Sequence, residues 1–217
     1  MGFMRRYLRQ GDAFIDGGAN IGVYALLAAS LVTSHGRVDA FEPAPKALAR
    51  LRENVAINAL TQVFVHPVAL GASAGLVSFL RDCDTTNRIR TDADVEAVVV
   101  DVPCARLDEV VGGRRYAMGK LDLEGAELLA LQGAERMLAS ANPPVWLLEL
   151  NGSLHAYGLR EAQFADWLRC RGYDLALYDA DHGELRFEPE PWSEMANVLA
   201  VARAVRNEVL EKLSARA

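Results

Sequence analysis

Acidic side chains recur in this chain where short apolar runs give way to glycine, and their spacing is what carries chemistry. Phe14-Ile15-Asp16 runs into Gly17-Gly18-Ala19-Asn20-Ile21-Gly22-Val23-Tyr24, Arg37-Val38-Asp39-Ala40-Phe41 ends in Glu42-Pro43, and Lys120-Leu121-Asp122-Leu123-Glu124 ends in Gly125. Glu42 falls 20 residues after Gly22. An acid at the tip of a second strand, about 20 residues past a glycine turn, marks recognition of a ribose, because one carboxylate can accept both sugar hydroxyls. The glycine turn and Glu42 together point to an adenosine-containing cofactor. Lys120, Asp122 and Glu124 alternate with leucines and so share one face of a strand. Three charges on a strand covered on both faces are costly unless paired or placed at its open end. A structural Lys120–Asp122 pair and a proton-handling role for Asp122 and Glu124 both satisfy that constraint. Clustered with Glu149, these carboxylates would also suit a hard cation, whereas no histidine or cysteine spacing supports zinc.

The elements that must hold these residues alternate between strand and helix. Ala13 to Ile15 reads as a buried strand, Gly17 and Gly18 as a sharp turn, and Ile21 to about Val32 as a helix capped by Asn20. Gly22 removes a side chain where that helix lies close to the sheet or to a ligand. A strand at residues 37–43 is followed by a helix from Pro45 to Asn58, with Leu48, Leu51 and Val55 on one face. Val63 to Leu70 reads as an edge strand carrying Pro67 and a structural His66. Leu76 to Leu80 and Glu96 to Val102 form a hairpin around the long polar stretch 81–94, a candidate acceptor-side lid. A short helix at Arg106 to Val111, a central strand at Tyr116 to Leu123, a helix at Ala126 to Ser140 and a strand at Val145 to Leu150 follow. The last third reads as a helix at Glu161 to Arg171, a strand at Tyr173 to Tyr178, a final strand at Met195 to Val201 and a terminal helix from Ala202 to Ala217. Such alternation predicts one α/β domain over residues 1–217, with a mostly parallel sheet and its ligand beyond the carboxyl ends of the strands.

The glycine spacing selects among cofactors. A dinucleotide fingerprint places its third glycine three residues after its second. Here the order is Asp16-x-Gly18-x-Asn20-x-Gly22, with period two throughout. That spacing resembles the first motif of the Rossmann-like S-adenosylmethionine-dependent methyltransferases, with Asn20 where many carry a second glycine. Together with Ala40-Phe41-Glu42-Pro43 and Lys120-Leu121-Asp122-Leu123-Glu124-Gly125-Ala126-Glu127, it is similar to the FkbM family of methyltransferases. Gly17 stands where that family more often has valine. The resemblance implies a three-layer class I methyltransferase fold, with a mostly parallel seven-stranded sheet, an inserted hairpin and a last strand antiparallel to its neighbours. It implies S-adenosylmethionine as cofactor, with Asp16 near the methionine amino group and Gly17, Gly18, Ala19, Asn20, Gly22 and Tyr24 around the methionine part. Glu42 and Pro43 would then hold the ribose, and Ala69 would lie near the adenine. It also implies methylation of a hydroxyl oxygen on a small molecule or sugar, with Asp122, Glu124 and His155 as candidate bases or orienting groups, Glu149 beside them, and no metal. An exposed structural histidine is the competing account of His155.

Composition narrows the partners. At 217 residues, 51% of them apolar, the chain builds a sizeable core. A net charge of -6 and the lack of a basic tail argue against nucleic acid, and the apolar run from Ile21 to Val32 is too short to span a membrane. The opening residues lack the long apolar core of a signal peptide, and Cys83, Cys104 and Cys170 show no redox or metal spacing. These features predict a cytoplasmic protein with a hydroxylated small-molecule substrate and neither a nucleic-acid nor a membrane partner. A methyltransferase acting on RNA or protein, and a non-catalytic or nicotinamide-binding Rossmann-like domain, are the competing readings.

Overall fold

Apolar runs of four to six residues become strands here because helices cover both of their faces. The computed structural model describes residues 1–80, 88–91, 98–150, 152–187 and 197–215. In chain order the elements are α1 (Gly2–Tyr7), β1 (Ala13–Gly17), α2 (Val23–Val32), β2 (Arg37–Phe41), α3 (Pro45–Ile57), β3 (Val63–His66), β4 (Ala69–Leu70), β5 (Gly75–Leu80) and β6 (Val99–Ala105). They continue with α4 (Leu107–Val110), β7 (Met118–Leu121), α5 (Glu127–Gln132), α6 (Glu135–Ala139), β8 (Val145–Glu149), α7 (Glu161–Cys170), β9 (Tyr173–Asp179), β10 (Glu184–Phe187), β11 (Asn197–Ala202) and α8 (Arg206–Ser214).

The main sheet has eight strands in the order β10-β9-β11-β8-β7-β1-β2-β3. Neighbours from β8 to β3 run parallel, and β11 lies antiparallel between β8 and β9. The sheet is one strand wider than the expected seven, because the turn at Asp181 to Gly183 folds β10 back on β9. Alternation along each strand feeds two cores. Ile15, Trp146, Leu148 and Ala200 face Leu131, Leu138, Phe164 and Leu168 on one side. Phe14, Val145, Leu147 and Leu199 face Met4, Ala25, Ala29 and Leu213 on the other. Tyr7 and Leu8 join this second core.

Several boundaries differ from expectation, each for a local reason. The expected strand from Val63 to Leu70 breaks at Pro67, which has no N–H to donate to the ladder. Ala69 and Leu70 leave the main sheet and pair with Cys104 and Ala105, making β4, β6 and β5 a separate three-stranded sheet. The inserted hairpin is β5 with β6, in register from Gly75–Cys104 to Leu80–Val99. Glu96, the expected start of its second strand, lies outside the described residues, as do Trp192 and Met195. The expected helix from Ala126 to Ser140 is two, α5 and α6, divided at Gly133, where a Cβ would stand 2.2 Å from the carbonyl oxygen of Gly71. Asn20 does not cap α2. Gly22 does, with φ of 100°, and a side chain there would collide with Leu51 and Leu26 of the flanking helices. The terminal helix begins only at Arg206, after a 3₁₀ turn over Arg203–Val205.

A carboxylate lies within the sheet as well as at its end. Asp39 on β2 is fully buried. It accepts hydrogen bonds from Arg37 (2.6 and 2.7 Å) and from the Tyr116 hydroxyl (2.7 Å), and pairs with His66 Nε2 (2.8 Å). His66 also stacks on Phe41 with ring centroids 4.5 Å apart, which is the structural role expected of it. Burial works against the Asp39 charge, but His66, Arg37 and Tyr116 outweigh it and hold the carboxyl at about 2, against 3.8 ordinarily. A carboxyl lowered on folding stabilises the fold above its unfolded value, and the gain is lost as pH falls through the folded value. Asp39→Asn is therefore expected to destabilise the protein by roughly 3 kcal/mol at neutral pH, with the difference from wild type shrinking as pH falls from about 4 toward 2. Urea unfolding of both proteins across this range is the check; equal midpoints at neutral pH would contradict it.

Candidate functional site

The turn after β1 is built on close approach. Gly18 has φ of +74°, and a Cβ on it would stand 1.9 Å from the carbonyl oxygen of Asp122. Its N–H and that of Ala19 donate to the carbonyl of Phe41 at the end of β2 (3.1 and 2.9 Å). Glu42 then ties the two strand exits together. Its Oε2 accepts the N–H of Asn20 and its Oε1 the N–H of Ala44, both at 2.8 Å. Each oxygen keeps lone-pair capacity for a further donor. Glu42 is buried, which pushes its pKa up against the pull of those two N–H groups.

Beside this turn lies an acidic floor. Asp16 on β1 is in register with Lys120 on β7. The Lys120 ammonium is buried, lies 2.9 Å from Asp122 Oδ2 and stands 4.5 Å from the centre of the Tyr24 ring. Burial disfavours its charge, but Asp16 and Asp122 outweigh that and raise its pKa. Leu121 pairs with Leu148 across β7 and β8, so the next residues, Asp122 and Glu149, stand at adjacent strand tips. Neither oxygen of Asp16 has a hydrogen-bond partner of good geometry among the described residues. Burial lifts its carboxyl to about 6, with Lys120 opposing and Asp122 adding. Burial and the neighbouring Asp122 lift Glu149 to about 7. Several carboxylates thus share one ammonium, an arrangement that favours an incoming cation.

The loop after β7 departs from the expected strand. β7 ends at Leu121, and Glu124 has φ of 53°, so Lys120, Asp122 and Glu124 do not form one strand face. The cause is Glu127, whose Oε1 accepts the N–H groups of Leu123 (2.7 Å) and Gly125 (3.4 Å) and curls the loop around a buried carboxylate. Sequence reasoning assigned Glu127 no role, although an acid in the first turn of a helix, shortly after the chain leaves a strand, is the available signal. Gly125 is required as well: at φ of +102°, its Cβ would stand 2.4 Å from the carbonyl oxygen of Ser153.

A cleft opens over these turns, enclosing about 640 Å³ with part of it open to solvent. Gly18, Asn20, Glu42, Pro43 and Ala69 line it, as do Asp122 and Glu124. Val68, Phe79 and Ile89 supply an apolar wall. Ala19 is buried beneath the turn, and Tyr24 backs the floor through Lys120. Gly17 and Gly22 do not line the cleft; a Cβ on Gly17 would meet Leu121 and Leu70 in the core. His155 does not line it either. Its side chain is 63% exposed and pairs with Glu161 at 3.3 Å. Of the expected lid at 81–94, only residues 88–91 are described. Ile89 bridges to Phe79, and its carbonyl accepts the Tyr157 hydroxyl at 2.7 Å. Among the described residues, no group of three or more His, Cys, Asp and Glu side chains is arranged to hold a metal ion, and no helix is long and apolar enough to cross a membrane.

Comparison with known proteins agrees with this geometry. The methyltransferase FkbM domain matches residues 16–175. A solved FkbM methyltransferase from Methylobacillus flagellatus superposes with a TM-score of 0.55 at 18% identity, covering 88% of this chain and 43% of that one. This chain therefore spans less than half the length of that relative. An S-adenosylmethionine-dependent O-methyltransferase from Thermotoga maritima superposes at 0.51 with 14% identity, covering 92% of this chain and 62% of that one. A putative methyltransferase from Streptococcus mutans, solved in complex with S-adenosylhomocysteine, superposes at 0.52 with 11% identity over 91% of both chains. No curated protein matches the chain. At these identities the structures establish a shared class I methyltransferase fold.

The unpaired Asp16 gives a direct test of the floor. Its carboxyl is raised from 3.8 to about 6 on folding. Between those values the native state holds a proton that the unfolded chain has lost, so its contribution to stability falls as pH rises, and above about pH 6 the ionised group costs roughly 3 kcal/mol. Asp16→Asn is expected to raise the thermal midpoint of the ligand-free protein at pH 8 and to do so less at pH 5. A lower midpoint at pH 8 would show that Asp16 is a satisfied structural acid.

Proposed function

The chain belongs to the FkbM methyltransferase domain family, and on that footing we propose that it moves the methyl group of S-adenosylmethionine to a hydroxyl oxygen of a small molecule or sugar. The observation that carries this reading is the sign of the cleft. Among the described residues, its charged lining is Glu42, Asp122 and Glu124, all acidic. A surface of that sign repels a phosphate backbone, whereas a hydroxyl acceptor needs a group to take or hold its proton. The chain spans 43% of its Methylobacillus flagellatus relative, and the activity proposed is that of the domain described.

The residues present fit the cofactor. Asp16 is a buried acid beneath the cleft lining, without a hydrogen-bond partner of good geometry among the described residues, and suits the methionine ammonium, and Glu42 retains acceptor capacity for the ribose hydroxyls. Gly18, Ala19 and Asn20 shape the turn between them, while Pro43 and Ala69 with Val68 offer a surface for the adenine. Bound there, S-adenosylmethionine supplies an activated methyl on a sulfonium and a neutral thioether as leaving group. Asp122 and Glu124 hold or take the proton of the acceptor hydroxyl, and the cleft walls limit water. His155, paired with Glu161 outside the cleft lining, has no part in this reading. The free thiols of Cys104 and Cys170 support a reducing, cytoplasmic setting.

Two measurements test the proposal. Glu42→Ala removes a charge-assisted acceptor, so calorimetric titration with S-adenosylhomocysteine is expected to show a loss of roughly 1.5–3 kcal/mol in a folded variant. Unchanged affinity would remove Glu42 from the cofactor site. A methyl-transfer screen with mass detection over hydroxylated small molecules, RNA and protein is expected to yield methylated small molecules. Methylation confined to RNA or protein would overturn the acceptor assigned here.

A further inference from the structure

Glu149 stands at the tip of β8 next to Asp122, because Leu121 and Leu148 are in register, and Asp122 is the cleft-lining acid that Lys120 bonds at 2.9 Å. Among the described residues, the charged groups that reach it are Lys120 of β7 and Asp122 and Glu124 of the following loop. On its other side β11 offers the neutral Asn197, in register with it. Asp16 of β1 and Tyr24 of α2 lie beyond Lys120. Among the described residues, Lys120 is therefore the single cation acting on this pair, and it is also shared with Asp16. Two adjoining carboxylates in a partly buried site do not both ionise cheaply unless a further positive charge arrives.

Resting on the methyltransferase reading, we propose that the Asp122–Glu149 pair holds one proton when the cleft carries no added positive charge, releases it when a sulfonium enters, and takes up the proton of the acceptor hydroxyl on methyl transfer. The step balances. The acceptor oxygen forms its bond to the methyl carbon, the carbon–sulfur bond breaks with its electron pair going to sulfur, and the sulfonium charge disappears. The hydroxyl proton released in the same event passes to Asp122 at the cleft and is shared with Glu149 next to it. One positive charge is lost from sulfur and one proton arrives on the carboxylate pair, so the summed charge of cofactor and floor is the same before and after transfer. The elevated carboxyl of Glu149, at about 7, agrees with a proton held near neutral pH. Glu149 acts through Asp122 and is a positioning residue.

S-adenosylmethionine and S-adenosylhomocysteine differ by the sulfonium charge and share the same amino and carboxyl groups, so comparing them isolates this proton. The test is calorimetric titration of each into the whole chain near pH 7, in buffers of different ionisation enthalpy. S-adenosylmethionine is expected to release about half a proton more than S-adenosylhomocysteine at pH 7, approaching about one proton near pH 6, and the ratio of their affinities is expected to rise with pH by up to about tenfold per unit below about 7 and level off above it. In Glu149→Gln both ligands are expected to bind with equal proton release. Equal proton counts in the wild type, or an undiminished difference in Glu149→Gln, would overturn this inference while leaving the cofactor reading intact. Binding of neither ligand to the wild type would overturn both.

Discussion

A sheet covered by helices on both faces has little room for charge except where its parallel strands end. β1, β2, β7 and β8 end side by side, and there the chain spends its acids: Asp16, Glu42, Asp122 and Glu149. Asp39, an acid inside the sheet, is neutralised by Arg37, His66 and Tyr116. The contrast is one of solvation. An acid within the sheet must be fully paired by the protein, whereas an acid at the open end can be left for a ligand to complete. The two cores that hold the strands in register therefore also fix the place where the chain can bind a charged small molecule.

The acids at that end do two different jobs. Glu42 and Glu127 accept backbone N–H groups and so shape the turns, Glu42 across the exits of β1 and β2 and Glu127 around the loop after β7. Asp16 has no such partner of good geometry among the described residues, and Asp122 is committed to Lys120. Backbone satisfaction thus separates acids that build the cleft from acids that give it its charge. Glu42 belongs to both groups, since its two N–H bonds leave acceptor capacity facing the cleft. The Tyr157–Ile89 hydrogen bond adds a strap from the region after β8 to the smaller sheet, placing an apolar wall opposite the acidic floor.

Much of this was legible in the residue order. Buried parallel strands read as apolar runs, so β1, β2, β7 and β8 are found within a few residues, and the 20-residue interval from Gly22 to Glu42 places the latter at the cleft. What escaped depends on contacts between distant segments. Pro67 reads as an edge-strand residue, yet it divides one expected strand between two sheets. Gly133 reads as an interior helix position, and only the approach of Gly71 shows why the helix must break there. Asn20 has the side chain of a helix cap but contributes its backbone N–H to Glu42. Glu124 follows the alternation of Lys120 and Asp122, and its left-handed backbone is set by Glu127 and by the close passage of Ser153 past Gly125. His155 sits in the segment expected of it, and the direction of its side chain is decided by Glu161.

The central claim is that the strand tips around Glu42 and Asp16 form a single cofactor site. A crystal structure of the chain with S-adenosylhomocysteine tests it most directly. The account predicts ribose hydroxyls within hydrogen-bond distance of the Glu42 carboxylate and the amino group of the ligand beside Asp16. A ligand bound elsewhere, or a ribose turned away from Glu42 toward solvent, would contradict it.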